Sequence, residues 1–144
     1  MFDKNVEKRL DSWLNLRKNL EFSPDPLQEV WNFWNNAPFI PYNNKINPYN
    51  ETSWPTPWEI IADNQYDDFT KALIIGWTLK LTNKYKTSAI LLKTMVDTQK
   101  KIEYNLVYID DTWVINYSDN GPVLPNKIPS SFEIENIIEV TAPR

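Results

Sequence analysis

The sequence predicts an α+β fold, with N-terminal helices and one buried central helix packed on an antiparallel β-meander. Three observations lead there. Apolar residues recur at helical spacing up to residue 82; the period changes to two from Ser88 onward; and Tyr66–Thr82, between them, is apolar around most of its circumference. Helices first and alternating strands afterwards indicate segregated α and β layers rather than a βαβ series.

The first helix is expected over residues 3 to 20, where Phe2, Val6, Leu10, Trp13, Leu14, Arg17 and Leu20 recur at helical spacing. Ser23-Pro24-Asp25-Pro26 ends it, and Asp25 is expected to cap a second helix with Pro26 at its first position, where a missing N–H costs little. Leu27, Val30, Trp31 and Trp34 share one face of that helix. Residues 35–55 are rich in Asn and Pro and favour turns, yet Phe39, Tyr42, Tyr49 and Trp54 argue that the segment packs down. Thr56-Pro57 repeats the cap-plus-proline signal for a short helix through Trp58, Ile60 and Ile61. In Tyr66–Thr82 the stripe is Tyr66, Phe69, Leu73, Gly76, Trp77 and Lys80, widened by Ala72, Ile75 and Leu79. Gly76 in its interior costs about 1 kcal/mol against Ala, a cost that a close contact would explain.

Strands are expected at Ser88–Val96, Lys101–Ile109 and Thr112–Tyr117, forming a meander. Gly121-Pro122, Pro125 and Pro129 break the chain before a last strand, Ser131–Val140. Leu73, Trp77, Val107 and Ile115 are expected in the core. One domain over 1–144 is expected: a helical arm (1–35), an aromatic Pro/Asn-rich loop (36–57), and a helix-plus-sheet core (58–144).

Composition excludes more than it assigns. With no Cys and no His among 144 residues, thiolate nucleophiles, imidazole bases, disulfides and the usual zinc sites are absent. The chain nevertheless carries 7 Trp, 7 Tyr and 6 Phe. A net charge of −4 disfavours a phosphate-binding face, so no nucleic-acid partner is expected. No apolar run is long enough to span a membrane, and the charged N-terminus lacks the apolar core of a signal peptide. Abundant Asn, Ile, Lys and Tyr with only 2 Gly suggest an A/T-rich genome, such as a bacterium or its phage.

A buried helix followed by a meander with a charged turn and a Trp resembles the core of the transglutaminase-like, papain-related fold. The resemblance rests on Tyr66-Asp67-Asp68-Phe69 at the helix start and on residues 104–116, Tyr-Asn-Leu-Val-Tyr-Ile-Asp-Asp-Thr-Trp-Val-Ile-Asn. In that family the helix opens on a nucleophilic Cys, the following strand carries a His and the next an Asp. The resemblance implies that Asp67 or Asp68, Asn105 and Asn116 stand at degenerate catalytic positions, and hence a catalytically dead member. Trp54-Pro-Thr-Pro-Trp-Glu59 also resembles small proteins of tailed phages.

Each motif has a plain packing alternative. Trp54 and Trp58 can form a stacking platform for a sugar, a base or a proline, or staple the loop to the core. Trp31 and Trp34, with Asn35-Asn36, read either as a sugar-binding surface or as a core stripe. Glu59, Asp63, Asp67 and Asp68 can supply an acid pair for hydrolysis, but acids at a helix start are also expected from the macrodipole. Asp110-Asp111 fits a hairpin turn that needs positive φ.

These readings lead to an expected non-enzymatic interaction or structural protein, a phage accessory or virion component. Its partner is expected to be another protein held on Phe39, Tyr42, Tyr49 and Trp54, with no cofactor and no metal, in the host cytoplasm or the virion. The alternatives are a carboxylate-based hydrolase and a carbohydrate-binding module built on the Trp-rich loop.

Overall fold

The computed structural model describes residues 1–143. Four helices come first: α1 (Val6–Leu20), α2 (Pro26–Trp34), α3 (Pro57–Asp63) and α4 (Asp68–Lys80). Five strands follow: β1 (Ile90–Asp97), β2 (Ile102–Ile109), β3 (Trp113–Ser118), β4 (Gly121–Val123) and β5 (Phe132–Glu139). They form one antiparallel sheet in the order β4-β3-β2-β1-β5. The α+β architecture, the meander and the buried central helix are as the sequence predicts.

Asn5 starts α1 by accepting a hydrogen bond from the Lys8 amide at 3.0 Å. The inward face of α1 is Arg9, Trp13, Leu16 and Leu20, while Val6 and Leu14 from the expected stripe are exposed. Arg9 explains the rotation. Its guanidinium is buried because it donates to the Ile61 carbonyl (3.1 Å), the Ala62 carbonyl (2.9 Å) and the Lys4 carbonyl. A cation there satisfies carbonyls in the last turn of α3.

In α2, Leu27, Val30, Trp31 and Trp34 are buried as expected, but Asp25 makes no side-chain capping bond. Helix α3 opens on a capping box in which Thr56 and Glu59 each satisfy the other's backbone N–H, and it ends at Asn64 in the left-handed conformation.

Helix α4 is buried from Phe69 to Leu79 apart from Lys71. It lies on the sheet face that carries Ile90, Leu92, Val107, Ile109 and Ile115, and Leu73 and Trp77 are buried with them. A Cβ on Gly76 would come within 3.1 Å of the Val140 side chain, so glycine lets the helix approach the sheet. Trp13 and Trp34 both point their indole N–H groups at the Thr78 hydroxyl, at 2.9 and 3.3 Å, and that hydroxyl donates to the Ile74 carbonyl at 2.6 Å.

The far face of the sheet has its own apolar cluster of Met95, Leu106, Tyr108, Val114 and Phe132, joined by Tyr104 and Tyr117. The chain break expected at Gly121-Pro122 is instead the short edge strand β4. Gly121 takes φ 120, and a proline at a sheet edge need not supply a ladder donor. Asp110 and Asp111 take φ 51 and 53 in the β2–β3 turn, as expected. No helix among the described residues is long and apolar enough to cross a membrane.

Candidate functional site

The start of α4 meets the middle of β2 and β3, and there a polar cluster forms. Asp68 Oδ2 accepts from the Asn105 amide and from Asn105 Nδ2, both at 3.0 Å, and Oδ1 accepts from Asn116 Nδ2 at 3.2 Å. Asn116 Nδ2 also reaches the Asn105 carbonyl at 2.8 Å, and Asn105 Oδ1 accepts from the Thr94 hydroxyl at 2.9 Å. Asn116 sits at φ 75 where the β3–β4 register shifts, and that backbone kink aims its amide across β2. Three residues distant in sequence are thus brought together. With three donors on its two oxygens, the Asp68 carboxyl has most of its acceptor capacity committed.

Asp67 points the other way. Its Oδ1 accepts from the Thr70 amide (2.7 Å) and hydroxyl (2.5 Å), capping α4, and its Oδ2 accepts from the Asn43 amide at 3.0 Å. Of the two acids offered for the helix start, Asp68 joins Asn105 and Asn116, whereas Asp67 latches the aromatic loop.

Two further carboxyls belong to this neighbourhood, and the sequence reading missed them. Burial pushes the Glu103 pKa above its ordinary value of 4.5, helped by the Glu135 charge and hydrogen bond and by the Asp68 charge. They meet because β1 pairs with both β2 and β5 and places Glu135 where the β5 register shifts between Thr94 and Met95. A local sequence pattern holds no trace of that encounter. Because the folded pKa is raised, the stabilising protonated state is fully present below 4.5, and stability falls as pH rises through the raised value. Glu103→Gln, which mimics the protonated form, is expected to melt above the parent at neutral pH, with the difference vanishing below the ordinary carboxylate range. Melting curves across that range check it.

The loop that precedes α3 is clamped at its base and open along its length. The Ile40 amide donates to the Tyr66 carbonyl and the Tyr66 amide to the Pro38 carbonyl, so residues 38–40 run against the approach to α4. Ile46 is buried. Phe39, Tyr42 and Tyr49 are 68%, 72% and 70% exposed, whereas Trp54 is only 6% exposed. The expected surface set therefore loses Trp54. Its ring packs on Phe69 and Trp77, and its indole N–H donates to the Asn47 carbonyl at 2.6 Å.

Other candidate sites dissolve into structural roles. Trp54 and Trp58 form no common platform, since Trp58 packs edge-on against Trp13. Trp31 and Trp34 are core residues. Glu59 serves the capping box, Asp63 pairs with Lys45 at 3.2 Å, and Asp67 caps α4, so the four acids expected for hydrolysis do not face one another. A cleft lined by Trp54, Pro55, Thr56, Trp77 and Thr141 lies beside the C-terminal half of α4, away from Asp68.

Comparison with known proteins gives a fold. No protein-family model matches the chain, and no curated protein sequence does. Among solved structures it is similar to calcium-bound LapG of Legionella pneumophila, at 16% identity and a TM-score of 0.69 over 94% of this chain and 77% of that one. A second LapG structure matches at 16% identity and 0.69, covering 96% and 78%, and an EGTA-treated one at 18% and 0.63, covering 90% and 71%. The fold is transglutaminase-like. The resemblance to tailed-phage proteins has no counterpart among these matches. The expectation of a non-enzyme is corrected by the same finding, because the structural neighbours are LapG and the shared fold gives no ground for excluding an enzyme.

Proposed function

We propose that this chain recognises an extended segment of a partner protein where α4 begins, with Phe39, Tyr42 and Tyr49 as anchors. The observation that carries the reading is a contrast within one loop. Three large aromatics are mostly exposed, while the backbone beneath them is latched to Asp67 and Tyr66. Exposed aromatic side chains on a pre-ordered loop bind at low entropic cost, and such residues are the usual anchors of protein interfaces. Asp68, Asn105 and Asn116, at the places the transglutaminase-like resemblance gives to Cys, His and Asp, form a fixed polar cluster at the start of the same helix.

Selection from a random dodecapeptide library tests this. Peptides enriched on the parent protein are expected to bind the Phe39→Ala/Tyr42→Ala/Tyr49→Ala variant at least roughly tenfold more weakly, with its melting temperature nearly unchanged. Equal binding by the variant would remove the loop as the anchor.

A second reading, carboxylate-based hydrolysis, is favoured by one observation: Glu103, whose pKa is raised by burial, lies near Glu135 and the hydrogen-bonded Asp68. Carboxyls in unlike environments within one neighbourhood are what such chemistry uses. Turnover of peptides or glycans that Glu103→Gln abolishes would support it; turnover that persists in that variant, or none in the parent, would contradict it.

A further inference from the structure

We infer that the outer edge of β5 is a docking edge for a strand from a partner protein, one that carries both apolar and basic residues on the same face. The inference is independent of the aromatic loop. Strand β5 ends the sheet, and among the described residues no strand pairs with its outer side. Its eight residues make it as long as β1, so the edge is not blunted by shortness. The Val140 amide donates to the Ile90 carbonyl, and antiparallel alternation therefore turns the N–H and C=O of Ile137 and Glu139 away from β1. Ile134 and Ile137 stand beside that edge, 51% and 49% exposed.

Charge selects the occupant. Glu133, Glu135 and Glu139 line the strand, and Glu103 lies next to Glu135. Among the described residues the ion pairs are Met1–Asp3 and Lys45–Asp63, so no described cation pairs with the glutamates of β5. The nearby Lys93 is held over the Tyr108 ring. A second copy of the chain is a poor partner. Antiparallel pairing of two β5 edges about Asn136 sets Glu133 against Glu139, and pairing about Ile137 sets Glu135 against Glu139; directly opposed like charges destabilise a ladder. A strand with Lys or Arg opposite these glutamates and Val or Ile opposite the isoleucines satisfies both the backbone and the charge.

Two synthetic decapeptides, one repeating Val-Val-Lys-Lys and one repeating Val-Val-Glu-Glu, so that the apolar and charged residues fall two apart as Ile137 and Glu139 do, provide the Val–Lys and Val–Glu probes, read by fluorescence anisotropy against the full chain. The Val–Lys peptide is expected to bind, to weaken as salt is added, and to lose at least roughly tenfold in affinity toward Glu133→Lys/Glu135→Lys/Glu139→Lys. The same peptide N-methylated at alternate residues keeps its charge but cannot donate to the edge, and it is expected not to bind. Ile137→Pro, which deletes an outward N–H without touching the β1 ladder, is expected to lose binding as well. Should that variant fail to fold, the N-methylated peptide still decides. Equal binding of the N-methylated peptide, equal binding of the Val–Glu peptide, no binding of the Val–Lys peptide, or a dimer through β5 in light scattering would each overturn the inference.

Discussion

Thr78→Val is expected to cost about 2–6 kcal/mol, because it orphans two buried indole N–H groups at about 1–3 kcal/mol each. The shape of the side chain is kept, so packing contributes little. Trp13, Trp34 and Thr78 are fully buried, and one hydroxyl serves both indoles while donating to the Ile74 carbonyl. Thr78→Ser keeps the hydroxyl and is expected to retain most of the stability. Urea unfolding of both variants checks the contrast: the serine variant should lie near the parent and the valine variant far below it. Equal midpoints for the two would mean that the hydroxyl does not join α1, α2 and α4.

Asp67→Ala is expected to cost about 2–4 kcal/mol, combining the loss of a helix cap with an orphaned buried amide. Asp67 caps α4 through Thr70 and also holds the Asn43 amide. The change therefore acts on the aromatic loop as well as on the helix. Amide exchange should accelerate at Asn43 and at Thr70 together. Faster exchange at Thr70 alone would limit Asp67 to the role of a cap.

The parts of the fold legible in the sequence were those governed by local periodicity. Tyr66–Thr82 was recognisable because its apolar residues leave almost no polar face, and Gly76 announced the close approach to Val140. The three meander strands were legible from alternation and from the Asp110-Asp111 turn. The inward face of α1 was not, because a buried arginine has no hydrophobic signature; Arg9 turns inward for carbonyls on α3, which lie more than fifty residues ahead. Strand β4 was hidden for the same kind of reason, since Gly and Pro read as breaks until an edge position makes both acceptable.

The candidate site was legible in a different way. Asp68, Asn105 and Asn116 are ordinary polar residues singly, and only the family resemblance set them side by side. Which of Asp67 and Asp68 belonged there depended on side-chain direction at the first turn of α4. Exposure of the aromatic loop divided along the chain: Trp54 found Phe69 and Trp77 to cover it, while Phe39, Tyr42 and Tyr49 stayed open. The Glu103–Glu135 contact arises purely from strand order and a register shift.

Nitrogen-15 chemical-shift mapping with a library-selected peptide tests the central claim, recognition of a polypeptide where α4 begins. The account predicts the largest perturbations at the amides of Phe39, Tyr42, Asn43 and Tyr49, with a further response at Asn105, whose amide donates to Asp68. Perturbations confined to the outer faces of α1 and α2, with the loop and Asn105 unmoved, would contradict it.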